Sequence, residues 1–338
     1  MKTIFDKSAL GNLNLKNRLI RSATWEALAD QNGNMQDTLF STYEKLAKGG
    51  VGAIISGFTS VADNDHYFGG MARLANDALI EAHKRLTDSV HKYACPIIAQ
   101  LALGEYNGAY RNMDVDDMTA EDIDSVKNVF VAAADRAVMA GYDGIQLHAA
   151  HGFFLSRFIS PAYNRRTDAY GGSPANRATL VLESLREVKR RHPDLHVSMK
   201  INCNDFMSGG LTEQESLRIC KLCAGNGMDS IEVSGNGTSV SGIRAGKNEA
   251  YFQDFALRLA AELSIPVILV GGHRSIENMN RVLNAGNIEF LSLSRPLIRE
   301  PDLPNRWQSG DTSPATCVSC NMCYRTPGHA CVFCAQNR

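Results

Sequence analysis

Short β-rich runs alternate with longer amphipathic stretches from one end of this 338-residue chain to the other, and that alternation limits the fold more than any other feature. A strand, a helix and a second strand bring the backbone round parallel to its start, so repetition builds a parallel sheet covered by helices. Eight strands are expected, at residues 19–25, 52–60, 96–103, 144–149, 197–203, 230–234, 266–271 and 289–294. Helical patterns lie between them at 78–93, 120–140, 173–191, 212–224 and 253–263, with Pro174 in a first-turn position. Gly49, Gly141, Gly227 and Gly286 stand where helices must stop before the next strand.

Eight such units close into an α/β fold of the TIM (β/α)8 barrel type, which needs about 250 residues and leaves an extended tail. An open doubly wound sheet is the competing architecture. It ordinarily carries a GxGxxG turn after its first strand, where this chain reads Arg21-Ser22-Ala23-Thr24-Trp25. Residues 1–308 are therefore assigned to the barrel and 309–338 to a cysteine-rich C-terminal tail. Segments rich in Tyr, Asn, Asp and Gly after strands two, three and four mark the barrel end at which active sites are built.

Lys and Arg number 35 against 36 Asp and Glu, a formal charge of −1, which leaves no electrostatic footprint for nucleic acid or an anionic membrane. No run of 18 or more apolar residues occurs, so no spanning helix is expected. Asp6 and Lys7 stand where a signal peptide needs its apolar stretch, and a cytoplasmic protein is expected.

Strands seven and eight end in Val270-Gly271-Gly272-His273 and Leu293-Ser294-Arg295-Pro296, which sets glycine amides opposite a fixed cation. That combination suits a phosphate, because glycine lets the backbone approach and Arg295 offers a two-pronged donor. Strand four ends in His148-Ala149-Ala150-His151-Gly152. Two imidazoles without a carboxylate or third histidine at ligand spacing suit a clamp on a carbonyl or phenolate oxygen better than a metal pair. Lys200 is the sole charge in the apolar strand Val197-Ser198-Met199-Lys200-Ile201, which marks it as functional rather than solvated.

The block that follows, Phe158-Ile159-Ser160-Pro161-Ala162-Tyr163-Asn164-Arg165-Arg166-Thr167-Asp168-Ala169-Tyr170-Gly171-Gly172-Ser173, together with the two histidines and Asn176-Arg177, resembles the Old Yellow Enzyme family of FMN-dependent NAD(P)H:flavin oxidoreductases. Asn17-Arg18, Ser22-Ala23-Thr24, Ala99-Gln100-Leu101, Lys200-Ile201-Asn202 and Ser294-Arg295-Pro296 look like its other landmarks, so the likeness reaches across residues 1 to 308. The chain resembles a short form with a C-terminal cysteine cluster.

The resemblance implies FMN across the barrel mouth. Ser22, Ala23, Thr24 and Phe58 would meet the flavin, Gln100 would read its pyrimidine edge, and Gly271, Gly272, Ser294 and Arg295 would hold its phosphate. Lys200 would place positive charge where reduction leaves negative charge. NAD(P)H is the implied reductant, and His148, His151 and Lys200 are the implied catalytic groups acting on a small-molecule electron acceptor such as an electron-poor alkene. A homo-oligomer is also implied, with Arg338 a candidate to reach a neighbouring protomer. Three departures stand out: Phe153 where the family usually has a proton-donating Tyr, no His or Arg soon after Gln100, and Ser56-Gly57-Phe58-Thr59 after strand two.

Five of the nine cysteines crowd into the last 22 residues as Cys317-x2-Cys320-x2-Cys323-x7-Cys331-x2-Cys334. Cys317, Cys320, Cys323 and Cys331 are the expected ligands of a [4Fe–4S] cluster or a Zn2+ ion, with unligated thiols the remaining option. Two other functions stay open: a flavin-binding electron-transfer protein without alkene reductase activity, and a phosphate-binding barrel isomerase or aldolase.

Overall fold

The computed structural model describes residues 1–107, 113–237 and 239–334. Eight parallel strands close into a barrel: β1 (Leu19–Arg21), β2 (Ala53–Ile55), β3 (Ile97–Ala102), β4 (Gly144–Ala149), β5 (His196–Asn202), β6 (Ser230–Ser234), β7 (Val267–Val270) and β8 (Phe290–Leu293). β8 pairs with β1 through Leu291↔Leu19 and Ser292↔Ile20, and β2 pairs with β3, so no edge is left among these eight. Each expected strand is present. The run expected at 52–60 divides into β2 and a two-residue strand, Thr59–Ser60, which pairs with the end of β3 and with Ala72–Arg73.

The strands read in twos. Ile145, Leu147, Val197, Met199, Ile201, Ile231 and Val233 belong to the large hydrophobic core beneath the helices. Between them alternate Gln146, His148, Ser198, Lys200, Glu232 and Ser234, all buried. Successive strand residues face opposite sides, so the helix-facing positions are apolar and the barrel lumen carries a polar layer. A second core of Leu10, Leu15, Ile20, Ala53, Ile55, Ile98, Ile268 and Phe290 fills the other end, where the hairpin Ser8–Leu10/Leu13–Leu15 plugs the barrel.

The helix expected at 173–191 is two helices, Pro174–Arg177 and Thr179–Arg191, which meet at Ala178. Arg177 is pinned there by donating from Nε to Ile159 O and pairing with Glu215 at 2.6 Å. Helices Asp37–Lys48, Ile276–Asn284, Arg295–Arg299 and Leu303–Gln308 complete the ring beside those foreseen. No helix among the described residues is long and apolar enough to cross a membrane.

Candidate active site

The cavity at the strand C-termini, about 210 Å3 in volume, is lined by Ser22, Ala23, Thr24, Phe58, Gln100, His148, His151, Lys200, Gly271, Gly272, Ser294 and Arg295. These are the residues expected to hold the flavin and act on the acceptor, and register brings several of them side by side. Gln100 lies beside Gln146, and His148 beside Lys200, which lies beside Glu232.

A run of buried hydrogen bonds crosses the floor of the cavity. Gln100 Nε2 donates to Gln146 Oε1 (2.8 Å), Gln146 Nε2 to Glu232 Oε2 (3.0 Å), and the hydroxyls of Ser22 and Ser292 to Glu232 Oε1 (2.7 and 2.6 Å). Lys200 Nζ donates to Ser22 Oγ at 2.8 Å and lies 3.2 Å from Glu232 Oε2. Burial pushes the Glu232 carboxyl up, but Lys200 and bonds from Ser292, Ser22 and Gln146 outweigh it and hold the pKa below the usual range. Glu232 is therefore an ionised counter-charge beneath Lys200, and sequence reading passed over it. Its signal was the one that exposed Lys200: a lone charge within an apolar strand.

Both histidines are neutral at pH 7. Burial, reinforced by His151 and Lys200, lowers the His148 pKa well below the ordinary range, and burial with Lys200 lowers His151 to about 3. His151 sits in the left-handed region (φ 65°) just before Gly152 (φ 76°), a turn that carries its ring back to Ser234, with Nε2 2.8 Å from Oγ. The two imidazole centroids are 5.2 Å apart. His148 Nδ1 is buried without a protein partner, although a buried ring nitrogen normally finds one.

Aromatic rings wall one side. Phe153 packs against Phe58 (5.0 Å), Phe68 (5.5 Å) and His148 (4.9 Å), while Trp25 stacks on Phe68 at 4.3 Å. Tyr106 is turned away, its hydroxyl donating to Asp122 at 2.9 Å. Among the described residues, Tyr251 and Tyr324 are the phenols that line the cavity, neither of them singled out by sequence.

Gly271 and Gly272 take φ values of 130° and 79°, and a Cβ on Gly272 would fall 2.9 Å from the Tyr251 ring. Only glycine admits that close approach. Thr24 Oγ1 and Ser294 Oγ are 2.7 Å apart, which ties the ends of β1 and β8 together.

The tail folds back over this mouth. His329 Nδ1 lies 2.6 Å from Trp25 O with its ring edge-on to the indole, and Cys323, Tyr324 and His329 line the cavity. Cys317, Cys320, Cys323 and Cys331 line a small neighbouring pocket with Arg295, whereas Cys334 Sγ lies 3.2 Å from Arg299 O. Among the described residues, no three His, Cys, Asp or Glu side chains are gathered as a ligand set.

A metal reductase of Desulforamulus reducens is 30% identical over 343 residues, covering 95% of this chain and 51% of its own length. An NADH oxidase of Thermoanaerobacter brockii is 29% identical, covering 94% of this chain and 53% of its own. The chain thus spans about half the length of these two relatives. An old yellow enzyme homologue from Zymomonas mobilis shares the fold with a TM-score of 0.78 at 21% identity, covering 94% of this chain and 96% of that one. The model of the NADH:flavin oxidoreductase / NADH oxidase family matches residues 3–116 and 105–313, nearly the whole barrel, and the chain belongs to that family.

Proposed function

We propose that the chain is an FMN-dependent oxidoreductase that takes hydride from NAD(P)H and passes it to an electron-poor alkene or a similar small-molecule acceptor. The observation that carries this reading is that Gln100, His148, His151, Lys200, Gly272 and Arg295 line a single cavity at the strand C-termini, an imidazole pair and a buried cation beside a glycine and arginine cradle.

When bound, FMN supplies the two-electron chemistry that links reductant and acceptor. Gln100 keeps one amide hydrogen and its oxygen for the flavin's pyrimidine edge, because the other hydrogen goes to Gln146. Lys200 would offer the bound flavin a positive charge at the cavity wall, moderated by Glu232. Neutral His148 donates to the acceptor oxygen, and His151 is steadied against Ser234. Phe153 has no proton to give, so solvent takes the place of the family's tyrosine as the source of the acceptor carbon's proton. A lysine held between Ser22 and an ionised carboxylate is a poor Schiff-base nucleophile, which counts against the aldolase alternative.

Cys317, Cys320, Cys323 and Cys331 belong to the same reading as ligands of a tail metal centre, [4Fe–4S] or Zn2+. All four line one small pocket, where a metal centre would have to draw their thiols together, since they are not gathered there as a ligand set. The homo-oligomer that the family resemblance implies is part of it too; Arg338 lies outside the described residues.

Absorbance tests the activity. Purified protein is expected to show flavin bands that bleach anaerobically with NAD(P)H and return on adding cyclohexenone. A protein that binds no flavin, or a flavin reduced only by one-electron donors, would overturn the reading.

A further inference from the structure

The cysteine tail does more than cover the barrel. Asn321 stands between Cys320 and Cys323 in the left-handed region, at φ 59° and ψ 11°. From there its Oδ1 accepts from Arg295 Nη1 at 2.7 Å and its Nδ2 donates to Ser239 O at 2.8 Å. Arg295 Nη1 also donates to Val240 O at 2.7 Å. One side-chain amide thus joins three segments: the tail, the loop after β6 and the arginine that opens helix Arg295–Arg299.

Around it the tail is stitched to the barrel by the backbone. Gly242 N donates to Ser319 O at 3.1 Å, and Arg274 Nε donates to Cys317 O at 2.9 Å. Arg274 Nη2 reaches Ser319 Oγ at 2.6 Å. Arg274 and Arg295 both line the flavin cavity beside Gly271 and Gly272. Neither guanidinium forms an ion pair with a carboxylate among the described residues; their partners in the protein are carbonyl, amide, hydroxyl and thiol groups. The nearby Glu249 carboxylate takes its hydrogen bonds from the backbone amides of Arg274 and Ser275 and from the Ser275 hydroxyl, so both guanidinium groups stay directed to neutral acceptors and suit an anionic ligand at this wall.

We propose that Asn321 is a positioning residue for the flavin's phosphate: it fixes the Arg295 guanidinium over the glycine cradle, so that the cysteine tail completes the phosphate subsite. The proposal rests on the FMN reading above. A planar guanidinium binds phosphate through two parallel bonds only when its plane is set beforehand, and a long side chain left loose gives that advantage back as entropy. Asn321 and Val240 share the Nη1 hydrogens on one side of the fork, which sets the plane. The left-handed backbone explains why this position takes Asn, which tolerates that conformation and also supplies an acceptor.

The test compares FMN with riboflavin, which lacks the phosphate, by fluorescence titration of deflavinated full-length protein. Asn321→Gly retains the left-handed turn and removes only the side chain, while Asn321→Ala removes the side chain and strains the turn. Both variants are expected to bind FMN roughly tenfold more weakly, the loss of about one hydrogen bond's net effect, with riboflavin affinity unchanged within about twofold. Equal weakening for both flavins would mean that Asn321 only holds the tail in place, and would overturn the proposal. So would an Asn321→Gly protein that binds FMN like the wild type while Asn321→Ala does not, since the backbone alone would then matter. A wild type that holds neither flavin would overturn the flavin reading itself, and this proposal with it.

Discussion

Lys200 Nζ and Glu232 Oε2 lie 3.2 Å apart in the barrel lumen, with both side chains almost completely out of solvent. Removing one member of a buried pair leaves the other charged and unpaired, at a cost of about 3–5 kcal/mol. Glu232→Gln is therefore expected to lower the unfolding free energy by roughly that amount and to move the bound flavin's midpoint potential upward, because Lys200 then acts without its counter-charge. Denaturant unfolding and a redox titration check the two effects. A variant as stable as the wild type would show that Glu232 does not compensate Lys200.

Arg295→Ala removes a charge-assisted donor from the proposed phosphate site, and such bonds contribute about 1.5–3 kcal/mol each. FMN affinity is expected to fall by about 10- to 100-fold. Unchanged flavin content after dialysis would argue that the phosphate lies elsewhere.

The barrel was legible because its strands keep the rhythm of two and its helices stop at glycine, signals that need no partner to be read. Lys200 and the Gly271-Gly272 pair were legible because each breaks its local pattern, whereas Gln100 was marked only by the family resemblance. Glu232 breaks its pattern equally, but its meaning comes from a lysine 32 positions earlier in sequence, which only register supplies. The block at 158–173 was the most recognisable stretch, yet in the structure it is largely scaffolding. Asn164 donates to Phe158 O and Tyr170 O, and Arg166 donates to Val115 O and Met118 O, so together they close this loop on itself and tie it to the segment at 115–118. The tail's part in the cavity was invisible, since nothing local in Tyr324 or His329 says that it will fold back onto Trp25.

Phe153 lies 4.9 Å, ring to ring, from His148, at the edge of the acceptor space. Phe153→Tyr is expected to speed flavin reoxidation by cyclohexenone by up to about 10²-fold, the lower end of what a positioned acid contributes, without changing the rate of reduction by NAD(P)H. Stopped-flow measurement of the two half-reactions separates them. If the wild type already reoxidises as fast as the variant, a resident acid is at work and solvent protonation is wrong.

The tail is expected to hold one metal centre per chain when the protein is made anaerobically with iron and zinc present, and Cys317→Ser or Cys331→Ser to lose it. Cys334→Ser should retain it, because Cys334 lies outside the pocket that the other four share. Elemental analysis decides: less than about 0.2 equivalents of both metals in the wild type would leave the thiols without a ligand role.

Acid should unfold the protein early. Burial lowers His83, His196 and His273 to about 4, and lowers His151 to about 3 with help from Lys200. A histidine whose folded pKa lies below its unfolded value near 6.5 favours the neutral fold. Its contribution is complete above about pH 6.5 and is lost as pH falls toward the folded value, at about 1.4 kcal/mol per unit. Glu26 works the other way. Burial raises it to about 6 against the opposing pull of Arg21, so it favours the fold more as pH drops from 6 toward 4.5. One carboxyl offsets only part of what these four imidazoles and that of His148, itself lowered well below its ordinary range, lose, so stability should fall steeply between pH 6.5 and 4. Near pH 5 the unfolded chain should bind roughly four protons more than the fold, the five histidines acting together and Glu26 opposing them. The slope of unfolding free energy against pH, from denaturant curves at half-unit steps, measures that number. A slope equivalent to fewer than about one proton would mean that the buried histidines are already charged in the folded state, and that His148 and His151 do not meet the acceptor as neutral donors.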